Sequence, residues 1–76
     1  NMERYLKVEG YFYNVGLDEL LDILEDRGLQ YFGLSDEDEE GLHVDGYLFA
    51  DEEEFVSLLD DVEYFGYYRE EEEEGN

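Results

Sequence analysis

His43 is the single histidine of the chain, and Ser35 and Ser57 are its only hydroxyl groups besides those of the tyrosines. A serine nucleophile needs a base within hydrogen-bond reach, and neither serine has a His or Lys beside it in sequence. His43 falls in an alternating stretch where its repeat counterpart is Lys7, so it reads as a solvated or half-buried strand position. Asp36-Glu37-Asp38-Glu39-Glu40-Gly41 places acids at relative positions 1, 3 and 5 and glycine at 6, the first half of an EF-hand loop. Position 12 of such a loop should be a bidentate glutamate and is Tyr47 here. No calcium or other metal site and no cofactor is therefore expected. With 25 Asp and Glu in 76 residues, the closeness of two carboxylates does not single out a general acid and a general base. No enzymatic role is expected, which leaves the carboxylates to act as a surface.

That surface dominates the composition. Four Lys and Arg oppose the 25 acids, for a formal net charge of −21. High net charge commonly accompanies disorder, but eight Tyr and five Phe among regularly spaced Leu and Val can build a core. The chain reads as one small folded domain that tolerates self-repulsion. Nucleic acid and anionic membranes are excluded as partners, and a basic protein surface is favoured. Without cysteine, no disulfide or thiolate metal site can reinforce the core. No apolar run reaches membrane-spanning length, and the polar start lacks the apolar core of a signal peptide. Asn1 ahead of Met2 is read as a cloning remnant.

The elements that hold the acids are written twice. Leu6-Lys7-Val8-Glu9-Gly10-Tyr11-Phe12-Tyr13 returns as Leu42-His43-Val44-Asp45-Gly46-Tyr47-Leu48-Phe49. An acidic stretch with helical spacing follows each copy, and Tyr31-Phe32-Gly33 returns as Tyr64-Phe65-Gly66. The alternation over 4–13 and 42–49 predicts strands, with Leu6, Val8, Phe12, Val44 and Leu48 inward. Gly10 in mid-strand suggests a bulge or close approach by a packed helix. Leu17, Leu20, Leu21 and Leu24 predict a helix over 17–27, stopped at Gly28. Asp51 and Glu54 predict a capped second helix burying Phe55, Val56 and Leu59. Further strands are expected over 29–34 and 62–69, an acidic hairpin loop over 35–41 and a solvated acidic tail over 71–76. The order β-α-β-β-α-β predicts an α+β fold of the ferredoxin-like split βαβ type over 2–70. Such a fold has a four-stranded antiparallel sheet with two helices on one face. Tyr11, Tyr13, Tyr47 and Phe49 then lie on the open face, where a second subunit or a partner is expected to dock; the chain is read as a monomer or a homodimer through that face.

Several acids stand where stability disfavours them. Glu25 and Asp26 close the first helix and Asp60 and Asp61 the second, against partially negative helix ends. Asp22 has like charges three or four residues away at Asp18, Glu25 and Asp26, a destabilising spacing. The candidate contact residues are Asp18, Glu19, Asp22, Glu25 and Asp26, the hairpin acids Asp36, Glu37, Asp38, Glu39 and Glu40, and Glu52, Glu53, Asp60 and Asp61. Side chains roughly 5–6 Å apart on a helix approach the charge spacing of a duplex, about 3.4 Å per strand. A protein that reads phosphates with Lys and Arg would meet carboxylates instead.

In composition, size and acidity of its helix faces the chain resembles the small phage proteins that mimic DNA: anti-restriction, anti-CRISPR and uracil-DNA-glycosylase inhibitors. The resemblance covers overall character and rests on no diagnostic motif. It implies a stoichiometric inhibitor, of anti-CRISPR or similar anti-defence type, that occupies the DNA or RNA site of a basic effector. It also implies a location in the cytoplasm of an infected bacterial host. The competing expectations are an acidic adaptor or assembly domain for a basic protein, and a small domain adapted to high salt.

Overall fold

Alternation sets the sheet and helical spacing sets the layer that covers it. The computed structural model describes residues 2–74, with side chains described for 4–71; Asn1 and the end of the expected tail, Gly75 and Asn76, lie outside the described residues. The elements are β1 (Met2–Tyr13), α1 (Leu17–Asp26), β2 (Gln30–Glu37), β3 (Gly41–Phe49), α2 (Glu52–Leu58) and β4 (Glu63–Glu74). The fold is α+β, with one four-stranded antiparallel sheet in the order β2-β3-β1-β4. β1 and β3, the two copies of the repeated strand, are the inner pair. Leu6, Val8 and Phe12 from β1 and Leu42, Val44 and Leu48 from β3 join one buried cluster with Leu20 and Leu24 of α1 and Phe55 and Leu58 of α2.

Helix ends follow local rules. After α1, Gly28 takes a left-handed φ of 72°. Its N–H donates to Glu25 O at 3.0 Å, and Leu29 N–H donates to Leu24 O at 2.8 Å. This closes the helix in a Schellman turn with Leu24 and Leu29 both buried. Asp51 accepts from Glu54 N at 2.8 Å while Glu54 accepts from Asp51 N at 3.0 Å, the expected capping box on α2. The buried stripes are narrower than predicted. Leu21 is 40% and Val56 51% exposed, and Leu58, fully buried, takes the place assigned to Val56. A helix lying on a sheet covers only part of its circumference, and neighbours one residue apart point about 100° away from each other.

The strands run longer than alternation suggested. Ser35, Asp36 and Glu37 continue β2 opposite Val44, His43 and Leu42, so the hairpin turn shrinks to 38–40. Glu70 to Glu74, expected as part of a solvated acidic run, are strand residues paired with β1 as far as Met2↔Glu74. Ladder hydrogen bonds belong to the backbone, so like-charged side chains do not prevent them. A charged outer strand also discourages pairing with foreign strands.

The repeated Tyr-Phe-Gly has a structural explanation. Gly33 lies opposite Gly46, and Gly66 opposite Gly10. Gly33 and Gly66 have φ of 145° and 151°. A methyl group on either would sit 2.5 Å from the Cα of the facing glycine. Beside each bare pair lies a tyrosine hydroxyl. Tyr31 donates to Leu34 O and accepts from Asp45 N at 3.2 Å. Tyr64 donates to Tyr67 O at 2.6 Å and meets the Glu9 N–H. Gly10 is thus approached by a tyrosine of the neighbouring strand, where a helix had been one of the expected neighbours.

Replacing Tyr64 with Phe removes a hydroxyl that serves a carbonyl and an N–H. It should lower stability by about 1–2 kcal/mol in urea titrations. Gly46→Ala, whose methyl would collide with Phe32 O and the Gly33 Cα, should be worse than Tyr64→Phe. Equal stability of Gly46→Ala and wild type would refute the steric account.

Candidate functional site

Acids occur on both faces, and the helix side carries an unbroken group of them. Asp18, Glu19, Asp22, Glu25 and Asp26 are all exposed on α1, which Leu20 and Leu24 anchor to the core. The hairpin is fastened to the start of the same helix. Glu37 Oε1 accepts from Leu17 N at 2.9 Å, and Glu40 O accepts from Asn14 N at 2.7 Å. Gly16 offers α1 no side-chain cap, so Glu37, arriving from β2, serves in its place. At the far end of α1, Arg27 donates to Ser57 Oγ at 3.2 Å and pairs with Asp61. The turn after α2 therefore lies beside α1, and Glu53 lines the groove next to Arg27.

The structure divides the fourteen candidate acids. Glu37 is a helix cap, and Asp61 is the counter-ion of Arg27. Asp38 holds the hairpin: its Oδ1 accepts from Glu40 N at 2.8 Å, from Gly41 N at 3.1 Å and from the Tyr11 hydroxyl. Asp36 sits in β2 opposite His43, on the sheet face and away from the helices. Asp60 and Asp61 fall beyond the last helical residue, Leu58, instead of inside α2 as expected. Asp18, Glu19, Asp22, Glu25, Asp26, Glu39, Glu40, Glu52, Glu53 and Asp60 direct exposed carboxylates to solvent. Glu52 contributes a second arrangement: its backbone N–H donates to Glu70 Oε2 at 3.1 Å, so a β4 carboxylate supports the first turn of α2. No group of acids, with or without His43, is arranged to hold a metal ion among the described residues.

The opposite side is aromatic. Tyr13, Tyr47 and Phe49 are exposed there, while Tyr11 is half-buried with its hydroxyl turned to Asp38. Phe32 and Leu34 of β2 and Phe65 and Tyr67 of β4 share the face by register, and the sequence reading did not assign them to it. Leu34 and Phe65 are 74% and 73% exposed, the barest large apolar side chains among the described residues. Rings interlock edge-on: Tyr5 with Tyr47 at 5.5 Å, Phe32 with Phe49 at 5.1 Å, and Tyr11 with Tyr13 at 4.9 Å between centroids. Lys7 and Arg69, paired across β1 and β4, bring cations to the face. Lys7 Nζ bonds Asp45 at 3.0 Å and lies 4.9 Å from the Tyr47 ring centroid.

Comparison with family models, curated proteins and solved structures finds no match. Among the described residues, no helix is long and apolar enough to cross a membrane. The two surfaces are therefore read from their chemistry alone. One is a carboxylate array on a fixed frame; the other is a ring-covered sheet on which Lys7 and Arg69 pair with Asp45 and Glu71, and which also carries Glu9 and Asp36.

The Tyr11 hydroxyl, followed by the Glu40 and Gly41 N–H groups, holds the Asp38 carboxyl below its ordinary value. A lowered folded-state value stabilises the fold above about pH 4, and that contribution disappears as pH falls through the folded value. Tyr11→Phe should raise the Asp38 pKa, read by carboxyl-carbon NMR titration; an unmoved value would rule out the hydroxyl as the cause. Tyr11 itself is pushed up to about 12, by desolvation first and then by Asp38. Its contribution is complete below about pH 10 and vanishes as pH rises through about 12.

The triple change Asp22→Asn, Glu25→Gln, Asp26→Asn relieves like-charge neighbours and the negative helix end. It should raise stability by roughly 1 kcal/mol at low salt, and less in molar salt. Thermal melts by circular dichroism at both salt concentrations test this.

Proposed function

We propose that the chain is a stoichiometric polyanion mimic whose helix-side carboxylates occupy the phosphate-reading site of a basic nucleic-acid-binding protein. The resemblance to phage DNA mimics suggests a host-defence target, a CRISPR effector or similar nuclease. One observation carries the reading: five exposed acids on α1 are held by a buried anchor, and the neighbouring cation, Arg27, is occupied by Asp61 and Ser57. Carboxylates that accept no ion pair among the described residues, carried on a rigid element, lose little freedom when cationic side chains close on them. The hairpin tip, Glu39 and Glu40, and the turn acid Asp60 extend the array beyond the helix.

The chemistry of such a contact is electrostatic complementarity. Association is steered by the field of the whole molecule and weakens as salt screens it. Glu37, Asp38 and Asp61 contribute by fixing the hairpin and the helix pair, leaving contact to their neighbours. The proposal also places the chain in the ferredoxin-like split βαβ class. In support, the strand order read from the other edge is β4-β1-β3-β2, with each outer strand beside the inner strand of the other repeat.

Capture from a host lysate on immobilised protein, eluted by a salt gradient, should yield a basic nucleic-acid-binding protein that excess duplex DNA or RNA displaces. A captured partner indifferent to nucleic acid would point to an adaptor instead. The Asp22→Asn, Glu25→Gln, Asp26→Asn variant should bind that partner at least about tenfold more weakly, since each charge-assisted contact is worth about 1.5–3 kcal/mol. Unchanged binding would remove α1 from the contact surface.

A further inference from the structure

The open sheet face presents its charges in rows. One row runs Phe32, Tyr47, Lys7, Arg69 across the four strands, and the next runs Leu34, Asp45, Glu9, Tyr67. Asp45 has Lys7 as its partner, but Glu9, directly across the β1–β3 ladder from Asp45, accepts no side-chain hydrogen bond among the described residues. Like charges directly opposite on a sheet are unfavourable. An exposed carboxylate in the middle of a ring-covered face calls for a cation from outside.

We propose that this face is a homodimer interface, two copies stacking sheet on sheet about a two-fold axis that runs across the strands between the two rows. In this register Lys7 of each copy lies over Glu9 of the other, Arg69 over the ring of Tyr67, and Phe32 over Leu34. An isologous contact needs a self-complementary patch, and adjacent rows of opposite character supply one. Lys7 and Arg69 already pair with Asp45 and Glu71 within the copy, so the added contacts are the reach of Lys7 to the second Glu9 and the stacking of Arg69 on the second Tyr67.

Area and charge allow the pairing. Four strands about 4.8 Å apart, over some nine residues at about 3.4 Å each, give a flat footprint of roughly 600 Å². The projecting rings raise it toward the roughly 800 Å² per partner of a standard interface. The net charge of −21 on each copy opposes association. Stacking through the sheets turns both helix layers outward, however. Sheets pack about 10 Å apart and each helix layer adds about 10 Å, so the acidic layers stand roughly 30 Å apart. The Debye length at physiological ionic strength is about 8 Å. This dimer should therefore tighten with salt, whereas capture of a basic partner should loosen.

Sedimentation velocity of the full chain across a concentration series, in 50 and 500 mM NaCl, tests the proposal. The expected result is a monomer–dimer equilibrium whose Kd falls several-fold at the higher salt. Leu34→Gln with Phe65→Gln changes two exposed side chains without changing charge. That variant should keep the wild-type circular dichroism spectrum and weaken dimerisation at least tenfold. The chain has no cysteine, so Lys7→Cys and Glu9→Cys variants report the register: mixed, they should form a disulfide dimer faster than either alone. A monomer at both salt concentrations, a dimer that loosens with salt, a dimer indifferent to Leu34→Gln with Phe65→Gln, or mixed cysteine variants that cross-link no faster than each alone would overturn it.

Discussion

Every strand ladder in this sheet joins one copy of the repeat to the other. β1 pairs with β3 and β4, and β2 pairs with β3, while β1 and β2 of the first copy never touch as neighbours. Neither half can satisfy its backbone alone. The glycine pairs enforce the interlock, because Gly10–Gly66 and Gly33–Gly46 each take one glycine from either copy. Two tyrosines close the gaps. The sheet therefore needs both copies assembled together, against the mutual repulsion of 25 carboxylates.

Burial and charge are separated cleanly enough for that to work. No polar or charged residue is buried among the described residues, and the core is aliphatic side chains and phenylalanine, bordered by Tyr31, Tyr64 and Tyr68. Several acids are spent on the fold itself. Glu37 caps α1, Asp51 and Glu70 serve the start of α2, Asp38 pins the hairpin, and Asp61 holds Arg27. The acids of the α1 surface have no such employment, and that contrast gives the helix side its functional interest.

Much of this was legible from periodicity. Alternation in the repeated strand placed Leu6, Val8, Phe12, Val44 and Leu48 correctly, because both faces of β1 and β3 differ in polarity. β2 and β4 carry large side chains on both faces, so alternation alone does not tell which way Phe32, Leu34, Phe65 and Tyr67 point. The recurrence of Tyr-Phe-Gly held that information, since the tyrosine beside a bare glycine pair must face inward and its neighbour outward. Of the tail expected over 71–76, Glu71–Glu74 continue β4, because charge density describes side chains and is silent about the backbone ladder. The structural roles of Glu37 and Asp38 were hidden for a related reason. Capping is decided by which helix end or turn lies nearby in space, and that becomes visible only when β2 is laid next to α1.

Because Met2 and Glu74 are ladder neighbours, the two ends of the strand pair lie within reach of a short linker. A chain joined there and opened between Glu39 and Glu40 would begin with β3 and finish with β2, and would again spell strand, helix, strand, strand, helix, strand. Duplication has made the architecture indifferent to which half is translated first.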